Sequence, residues 1–383
     1  MINPGTPGVG DRLKEPAFLA TERSTNTYTD GRKGMERAAK AINTDLEQFA
    51  RGWVNEYDEV AREPIEAFCD VLLRGGKRLR GVLTMQSYYA SGGTDPRVAI
   101  GAARVAELGQ TYLLLVDDIQ DKSDIRRGGP SAQHLLGRQS VRASASHGDI
   151  QHLGVSQAMN AALAGMHRAD SELMNLPASD DALLRAARQM HAHAETTAAG
   201  QIKDIYNQAS DTIPSIEDIE DVLTKKTSYY TFVVPLELGA ILAGKEKLDP
   251  ALFDFAVSIG CAYQIADDLI GAFGDEKQSG KSNNDDIREG KMTLISRHAW
   301  AHADDTQQLV LKHILGNPNA TDSECNAVRE IMVQTGAQRY CEERLVHYRD
   351  EAVAALTTTS ADNDPRFIDF LGQVITYASK RAA

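Results

Sequence analysis

Two aspartates four residues apart, closing an apolar helical run, are where this sequence first offers chemistry. Residues 116–121 read VDDIQD. Side chains at that spacing share one face of a helix, so Asp117 and Asp121 project together. Like charges held this closely repel unless something positive lies between them. A hard divalent cation meets that need, because Mg2+ takes carboxylate oxygens and shares its remaining positions with phosphate. Asp118 sits about 100° around the helix and can act only in support. The plain alternative is an acidic helix end that faces water.

A second acidic group weighs against that alternative. Residues 255–273 form another apolar helical run, and within it Gln264, Asp267, Asp268 and Gly271 follow i, i+3, i+4, i+7. They share one face, on the apolar stripe of a helix suited to a core. Carboxylates there are costly without a partner. Two such helices facing each other can hold cations inside a helical bundle.

Basic residues gather near both groups. Lys77, Arg78 and Arg80 follow Gly75 and Gly76, and Arg126 and Arg127 follow the first acidic group by a few residues. Lys225, Lys226 and Thr227 form a third cluster, and Lys281 and Lys291 each follow a glycine around an acidic stretch. Mg2+ held by aspartates, with Arg and Lys arriving from several elements, describes a diphosphate site. No Ser/His/Asp or Cys/His arrangement is evident, and His191 and His193 read as an exposed helix pair.

The elements that must position these residues are helices. The chain has 383 residues, with 41 Lys and Arg against 54 Asp and Glu, a formal net charge of −13. That sign is wrong for a general nucleic-acid binder. Hydrophobic residues make up 42% and charged residues 25%, enough for a large core. No apolar run approaches the roughly 18–20 residues of a membrane span, and the N-terminus lacks a signal-peptide pattern. The four cysteines show no CxxC spacing and read as buried thiols in a reducing cytoplasm. Residues 1–34, rich in Gly, Pro and Thr, read as a disordered extension. From residue 35 to 383 the sequence reads as one all-helical domain, because Ala, Leu, Glu, Gln and Arg dominate. Asp95, Asp249 and Asp364 each precede a proline and suit helix starts. Ser215 with Asp218, and Thr321 with Glu324, fit capping boxes. The β-branched run 231–234 reads as buried helix because Pro235 and helical flanks follow it.

In order along the chain, the segments GGKRLR, QTYLLLVDDIQD, RRGGPS, GQIKD, KKT, QIADD and GKSNNDDIREGK make this sequence resemble the trans-isoprenyl diphosphate synthases, the family of the farnesyl and geranylgeranyl diphosphate synthases. The resemblance implies an all-α fold, a large helical bundle around a central cavity, and a homodimer. It implies head-to-tail transfer of a prenyl group from an allylic diphosphate to isopentenyl diphosphate. By position, Asp117 and Asp121 match ligands of two Mg2+ ions and Asp267 the ligand of a third, with Asp118 and Asp268 in support. Lys77, Arg80, Gln110 and Arg127 match positions that bind isopentenyl diphosphate. Arg126, Lys226, Thr227, Gln264, Lys281 and Lys291 match those around the allylic diphosphate, and Gln201 and Asp204 line the same cavity. Residues 274–291 are expected to close as a lid. The chain departs from the family pattern at Gly271, where a third aspartate is usual, and at Asn283 and Asn284, where small residues are usual.

Product length follows from what blocks the cavity floor. The residues four and five before Asp117 lie roughly 6–7.5 Å down the helix; they are Leu113 and Tyr112. In the family an aromatic at the farther position points to the C20 product, geranylgeranyl diphosphate. Farnesyl diphosphate and longer polyprenyl diphosphates are the alternatives. A class I terpene cyclase is disfavoured by the Asp267–Asp268 pair, and a non-catalytic regulatory partner by the retention of both acidic groups and both arginines.

Overall fold

The computed structural model describes residues 31–142, 149–210, 212–274, 283–360 and 363–379. Most of the expected N-terminal extension and Lys281 lie outside these residues. The described chain is helical almost throughout. Helix α1 (Gly31–Val54) begins four residues before the start read from sequence, and α2 (Glu59–Leu73), α3 (Leu79–Ala90) and α4 (Pro96–Gln120) follow. A two-residue antiparallel pair, β1 (Ile125–Arg126) and β2 (Gly129–Pro130), sits at the Gly-Gly-Pro break, with Arg126 opposite Gly129. Next come α5 (Ala132–Arg142), α6 (Ile150–Met174), α7 (Asp180–Ala209) and α8 (Ile216–Val222). A π-helical run, Leu223–Val233, continues directly into α9 (Val234–Leu242) and is followed by α10 (Pro250–Phe273). The remainder is α11 (Asp285–Glu289), α12 (Leu294–His302), α13 (Asp305–Ile314), α14 (Asp322–Gln334), α15 (Ala337–Thr357) and α16 (Pro365–Ser379).

The predicted starts appear as capped termini. Asp95 accepts a hydrogen bond from the Arg97 amide and Asp249 from the Ala251 amide, each with proline in the first turn. Asp364 accepts from the Arg366 amide at 2.9 Å. Ser215 with Asp218, and Thr321 with Glu324, close both halves of a capping box. Each cap satisfies amides that the first helical turn leaves without an internal partner. The run 231–234 is helical, as the sequence pattern predicts, with Thr231, Phe232 and Val233 buried and Val234 half-buried. Pro235 has no N–H to continue the ordinary ladder, and the π-helical register ends beside it.

Helices α3, α4, α6, α7, the π-helical run, α10 and α16 pack each against the next, and α16 returns to α3. Inside this ring runs α9, buried at every residue from Pro235 to Leu242. A helix apolar apart from one paired carboxylate, Glu237, belongs in such a position. One apolar cluster joins α1–α4 to α9, α10 and α16, and a second joins the end of α10 to α11–α15. The four cysteines are unpaired and buried. Among the described residues, no helix is long and apolar enough to cross a membrane.

Candidate active site

Helix α4 divides its last turns between core and site. Thr111, Leu115 and Asp118 follow i, i+4, i+7 into the interior, which leaves Asp117 and Asp121 half-buried on the open side. Arg126 reaches this end from the β1–β2 turn. Its Nε donates to Asp118 Oδ1 at 2.8 Å and its Nη2 to Asp117 Oδ2 at 3.1 Å. The turn is fastened from behind by Arg74, whose Nη1 donates to the carbonyls of Pro130 at 2.6 Å and Arg126 at 3.2 Å. Burial opposes the Arg126 charge, but Asp118 and then Asp117 more than offset it and hold the guanidinium pKa above its ordinary value.

Lys226 arrives from the opposite side on the π-helical run. Its Nζ donates to Asp204 Oδ2 at 2.6 Å and lies 3.7 Å from Asp117 Oδ1. π-Helical turns concentrate at functional sites because they re-aim side chains. Two glycines let neighbouring helices close on this run. A Cβ on Gly200 of α7 would stand 2.6 Å from the Lys226 amide nitrogen, and one on Gly260 of α10 would stand 2.5 Å from Ser228 Cα. The next residue links to the second acidic helix: Thr227 Oγ1 donates to Gln264 Oε1 at 2.9 Å, and Gln264 Nε2 donates to Asp268 Oδ1 at 2.8 Å.

The second acidic group is less well neutralised. Burial pushes the Asp268 carboxyl up to about 8, with Asp286 and Asp267 adding repulsion against Gln264 and Lys291. Asp121 is raised to about 6 by burial and by Asp117, opposed by Lys291 and Lys226. Lys291 donates to Asp286 Oδ1 at 3.0 Å and lies 3.1 Å from Glu289 Oε2. Burial works against its charge, yet Asp286, Glu289 and Asp121 keep it well above the ordinary lysine range. One ammonium is thus within electrostatic reach of both acidic helices. Among the described residues, no three Asp, Glu, His or Cys side chains stand together as a cage for a metal. An ion here must complete its coordination with water or with ligand oxygens.

The remaining predicted residues spread along the ring. Arg80 Nη2 donates to Thr231 Oγ1 at 2.8 Å, and its guanidinium lies 4.3 Å from the Tyr230 ring centroid. Lys77 is exposed, with Nζ 4.2 Å from the Tyr377 ring centroid on α16. Arg127, in a left-handed backbone conformation at φ +52°, donates from Nη1 to the Val71 carbonyl at 3.2 Å. Gln110, Tyr112 and Leu113 are half-buried along α4, and Tyr112 packs against the main apolar cluster. Gln201 Nε2 donates to Gln120 Oε1 at 2.8 Å, so α7 and the end of α4 meet at this mouth.

Three findings differ from the sequence reading or lie beyond it. Arg78, read as part of a cationic cluster awaiting an anion, is buried; it pairs with Glu107 at 3.2 Å and donates to Asn43 at 2.7 Å and to the Leu72 carbonyl at 2.8 Å. His193 is not exposed: its side chain is 12% accessible, and Nε2 lies 2.5 Å from Glu237 Oε2 on the central helix. Asp286 and Glu289, given no role above, are the carboxylates that hold Lys291. They stand inside the segment GKSNNDDIREGK, so the signal was the motif itself. A cleft of about 550 Å3 is lined by Phe273, Asn283, Asn284, Asp322 and Arg329 among others, at the end of the second acidic helix, and by no residue of the first.

The polyprenyl synthetase family profile matches residues 62–332. A geranylgeranyl diphosphate synthase of Sulfolobus acidocaldarius is 30% identical over 301 residues, covering 78% of this chain and 85% of that protein. A short chain isoprenyl diphosphate synthase of Methanocaldococcus jannaschii is 29% identical over 302 residues, covering 79% and 84%. Among solved structures, geranylgeranyl pyrophosphate synthase from Corynebacterium glutamicum, complexed with isoprenyl diphosphate and magnesium, superposes with a TM-score of 0.84. It is 27% identical, and the match covers 91% of this chain and 99% of that one.

Proposed function

The chain belongs to the polyprenyl synthetase family, and from that premise we propose that it joins isopentenyl diphosphate head to tail to an allylic diphosphate, giving a short trans-polyprenyl diphosphate. The observation that carries this reading is Asp117 with a cation at each carboxylate oxygen, Arg126 at 3.1 Å and Lys226 at 3.7 Å, linked through Thr227 and Gln264 to Asp268. Its donor set suits Mg2+: every acidic ligand is a hard carboxylate, and no thiolate or imidazole intrudes. Asp117, Asp121 and Asp267 would hold the ions, supported by Asp118 and Asp268, with three ions in the reading implied by the resemblance. When bound, Mg2+ would draw charge from the departing diphosphate.

The protein's own residues do the rest. Arg126, Lys226 and Lys291 face the same anion and stabilise charge as the allylic C–O bond lengthens, which is where preorganised cations are worth most. Thr227 and Gln264 orient its oxygens. Arg80, Arg127 and Lys77 hold the diphosphate of isopentenyl diphosphate, so that its alkene meets the allylic carbon in line. The allylic C–O bond ionises to leave a delocalised allylic cation and free diphosphate; the alkene of isopentenyl diphosphate attacks that cation, and one proton then leaves to regenerate a double bond and passes to the released diphosphate.

Tyr112, half-buried and packed against the core below Asp117, supports a floor that stops the product at C20. A homodimer is part of the same reading, supported by Met159 and Leu163, 50% and 49% exposed on one face of α6. Labelled isopentenyl diphosphate with each allylic starter and Mg2+ tests the activity, with geranylgeranyl diphosphate as the expected product. No elongation with any starter overturns the reading. Tyr112→Ala is expected to lengthen the product, and an unchanged product profile removes Tyr112 from the floor.

A further inference from the structure

The second acidic helix carries a glycine where its acidic face would accept one more carboxylate. Gln264, Asp267, Asp268 and Gly271 share that face of α10. A Cβ placed on Gly271 would stand 2.5 Å from Asp286 Oδ2. Within one aspartate, bond lengths and angles put Cβ about 2.4 Å from its own carboxylate oxygens. An oxygen of Asp286 therefore stands at the distance from position 271 that the oxygen of an aspartate at 271 would itself have.

The other oxygen of Asp286 faces the site. Oδ1 accepts from Lys291 Nζ at 3.0 Å, and the carboxylate is close enough to Asp268 to act on its charge. The helix that carries Asp286 is firmly mounted. Ile287 is buried, and its carbonyl accepts from the Gly316 amide at 3.0 Å. The Lys291 amide returns to the Asp286 carbonyl at 3.0 Å through Gly290, which takes φ +71°. Asn284 donates to Asp322 at 2.7 Å and accepts from Arg329. With α11 held on α14 in this way, a side chain at 271 would have to displace Asp286 rather than share the space. Two carboxylates forced into one such volume also repel.

We propose that Asp286 supplies from α11 the carboxylate that Gly271 leaves off α10, and that it is a positioning residue, setting Lys291 and the second acidic group for the metal–diphosphate complex. The proposal rests on the prenyl-transfer reading of the site. It makes positions 271 and 286 alternatives: one carboxylate, from either helix. Restoring the aspartate usual in the family at 271 is therefore expected to harm this protein as long as Asp286 is present.

The test compares Asp286→Ala, Gly271→Asp, the double variant Gly271→Asp/Asp286→Ala, and the steric control Gly271→Ala/Asp286→Ala with the full-length wild type. Two quantities are read: Mn2+ bound in the presence of inorganic diphosphate, by electron paramagnetic resonance, and the KM and kcat for the allylic substrate. Thermal melting establishes that each variant is folded. Each single variant is expected to bind Mn2+ with diphosphate about tenfold more weakly, the usual scale for supporting groups of a metal site, with KM affected more than kcat. The Gly271→Asp/Asp286→Ala protein is expected to recover to within about threefold of wild type, and the control to stay low. The proposal is overturned if that double variant is no better than the weaker single, or if the control recovers equally, which would make Gly271 a packing residue only. A wild type that binds Mn2+ and diphosphate in this pattern without elongating prenyl chains would sink the activity and leave the exchange of carboxylates standing.

Discussion

At the end of α4, Asp117 has a guanidinium on one oxygen and an ammonium near the other. Near the end of α10, Asp268 has an amide on one oxygen and two further carboxylates, Asp286 and Asp267, acting on its charge. Both groups are aspartates at helical spacing on apolar helices. Their surroundings differ because different elements reach them. The β1–β2 turn and the π-helical run bring cations to α4, whereas α11 brings a carboxylate, and the turn after it Lys291, to α10. The first group thus meets two fixed cations at Asp117. In the second group burial pushes the Asp268 carboxyl up to about 8, so a bound cation there has a proton to displace. Asp121, the residue that caps α4, is raised to about 6 and lies within reach of Lys291. Similar sequence patterns can thus hold charge in opposite ways, and the helices across the site decide which.

The largest test removes the group that both cations address. Asp117→Ala is expected to lower kcat by about 10³-fold or more, the scale on which single preorganised electrostatic contacts matter, with unchanged helical content and melting temperature. Near-normal turnover at saturating Mg2+ would end the metal assignment and the comparison with it. Lys226→Ala comes next. It strips one cation from the first group without touching the second, and about a 10²-fold fall in kcat is expected. An equal loss from Lys291→Ala would mean that the two groups act as one.

A smaller effect separates them by pH. An ordinary aspartate titrates near 3.9. Carboxyls raised to about 8 and about 6 favour the folded state when protonated. Their contribution to metal-free stability is therefore full below about pH 4 and is lost as pH rises through 6 and then 8. Metal binding runs the other way because it expels those protons, so Mn2+ affinity is expected to climb with pH, at most about tenfold per unit for each proton released. Thermal melts with and without Mg2+ at pH 5, 7 and 9 should show the gap widening with pH. A constant gap would erase the electrostatic distinction. The smallest effect is expected from Thr227→Val, which breaks the link from the π-helical run to Gln264. A KM for the allylic substrate raised a few-fold with kcat nearly unchanged is expected, since a neutral hydrogen bond contributes about 1 kcal/mol.

Much of this arrangement is legible in the sequence. The faces shared by Asp117 with Asp121, and by Gln264 with Asp267 and Asp268, follow from helical periodicity. The caps at Asp95, Asp249, Ser215 and Thr321 follow from local hydrogen-bonding chemistry. Arg78 and Arg80 show where that legibility stops. They stand two residues apart in the same basic segment and both are buried, yet one pairs with Glu107 and the other donates to Thr231. Nothing in their spacing separates them; the left-handed backbone at Arg78, φ +51°, and the position of α4 do. His193 departs from its sequence pattern for a related reason. An alternating His-Ala-His pattern on a long helix looks exposed until a buried Glu237 is found opposite one member.

The sequence by itself determined that the chain is helical almost throughout, where five of its helices begin, and that carboxylates and cations occur at spacings suited to a diphosphate and its metal ions. Those properties are local, set by a period of 3.6 residues and by caps a few residues long. Only the tertiary structure decided which cation meets which carboxylate, that Lys226 is delivered by a π-helical run closed upon by Gly200 and Gly260, and that Asp286 fills the place beside Gly271. These depend on how closely helices distant in sequence approach one another. That distance is fixed by packing across the core, where the absence of one Cβ changes which side chain can occupy a site.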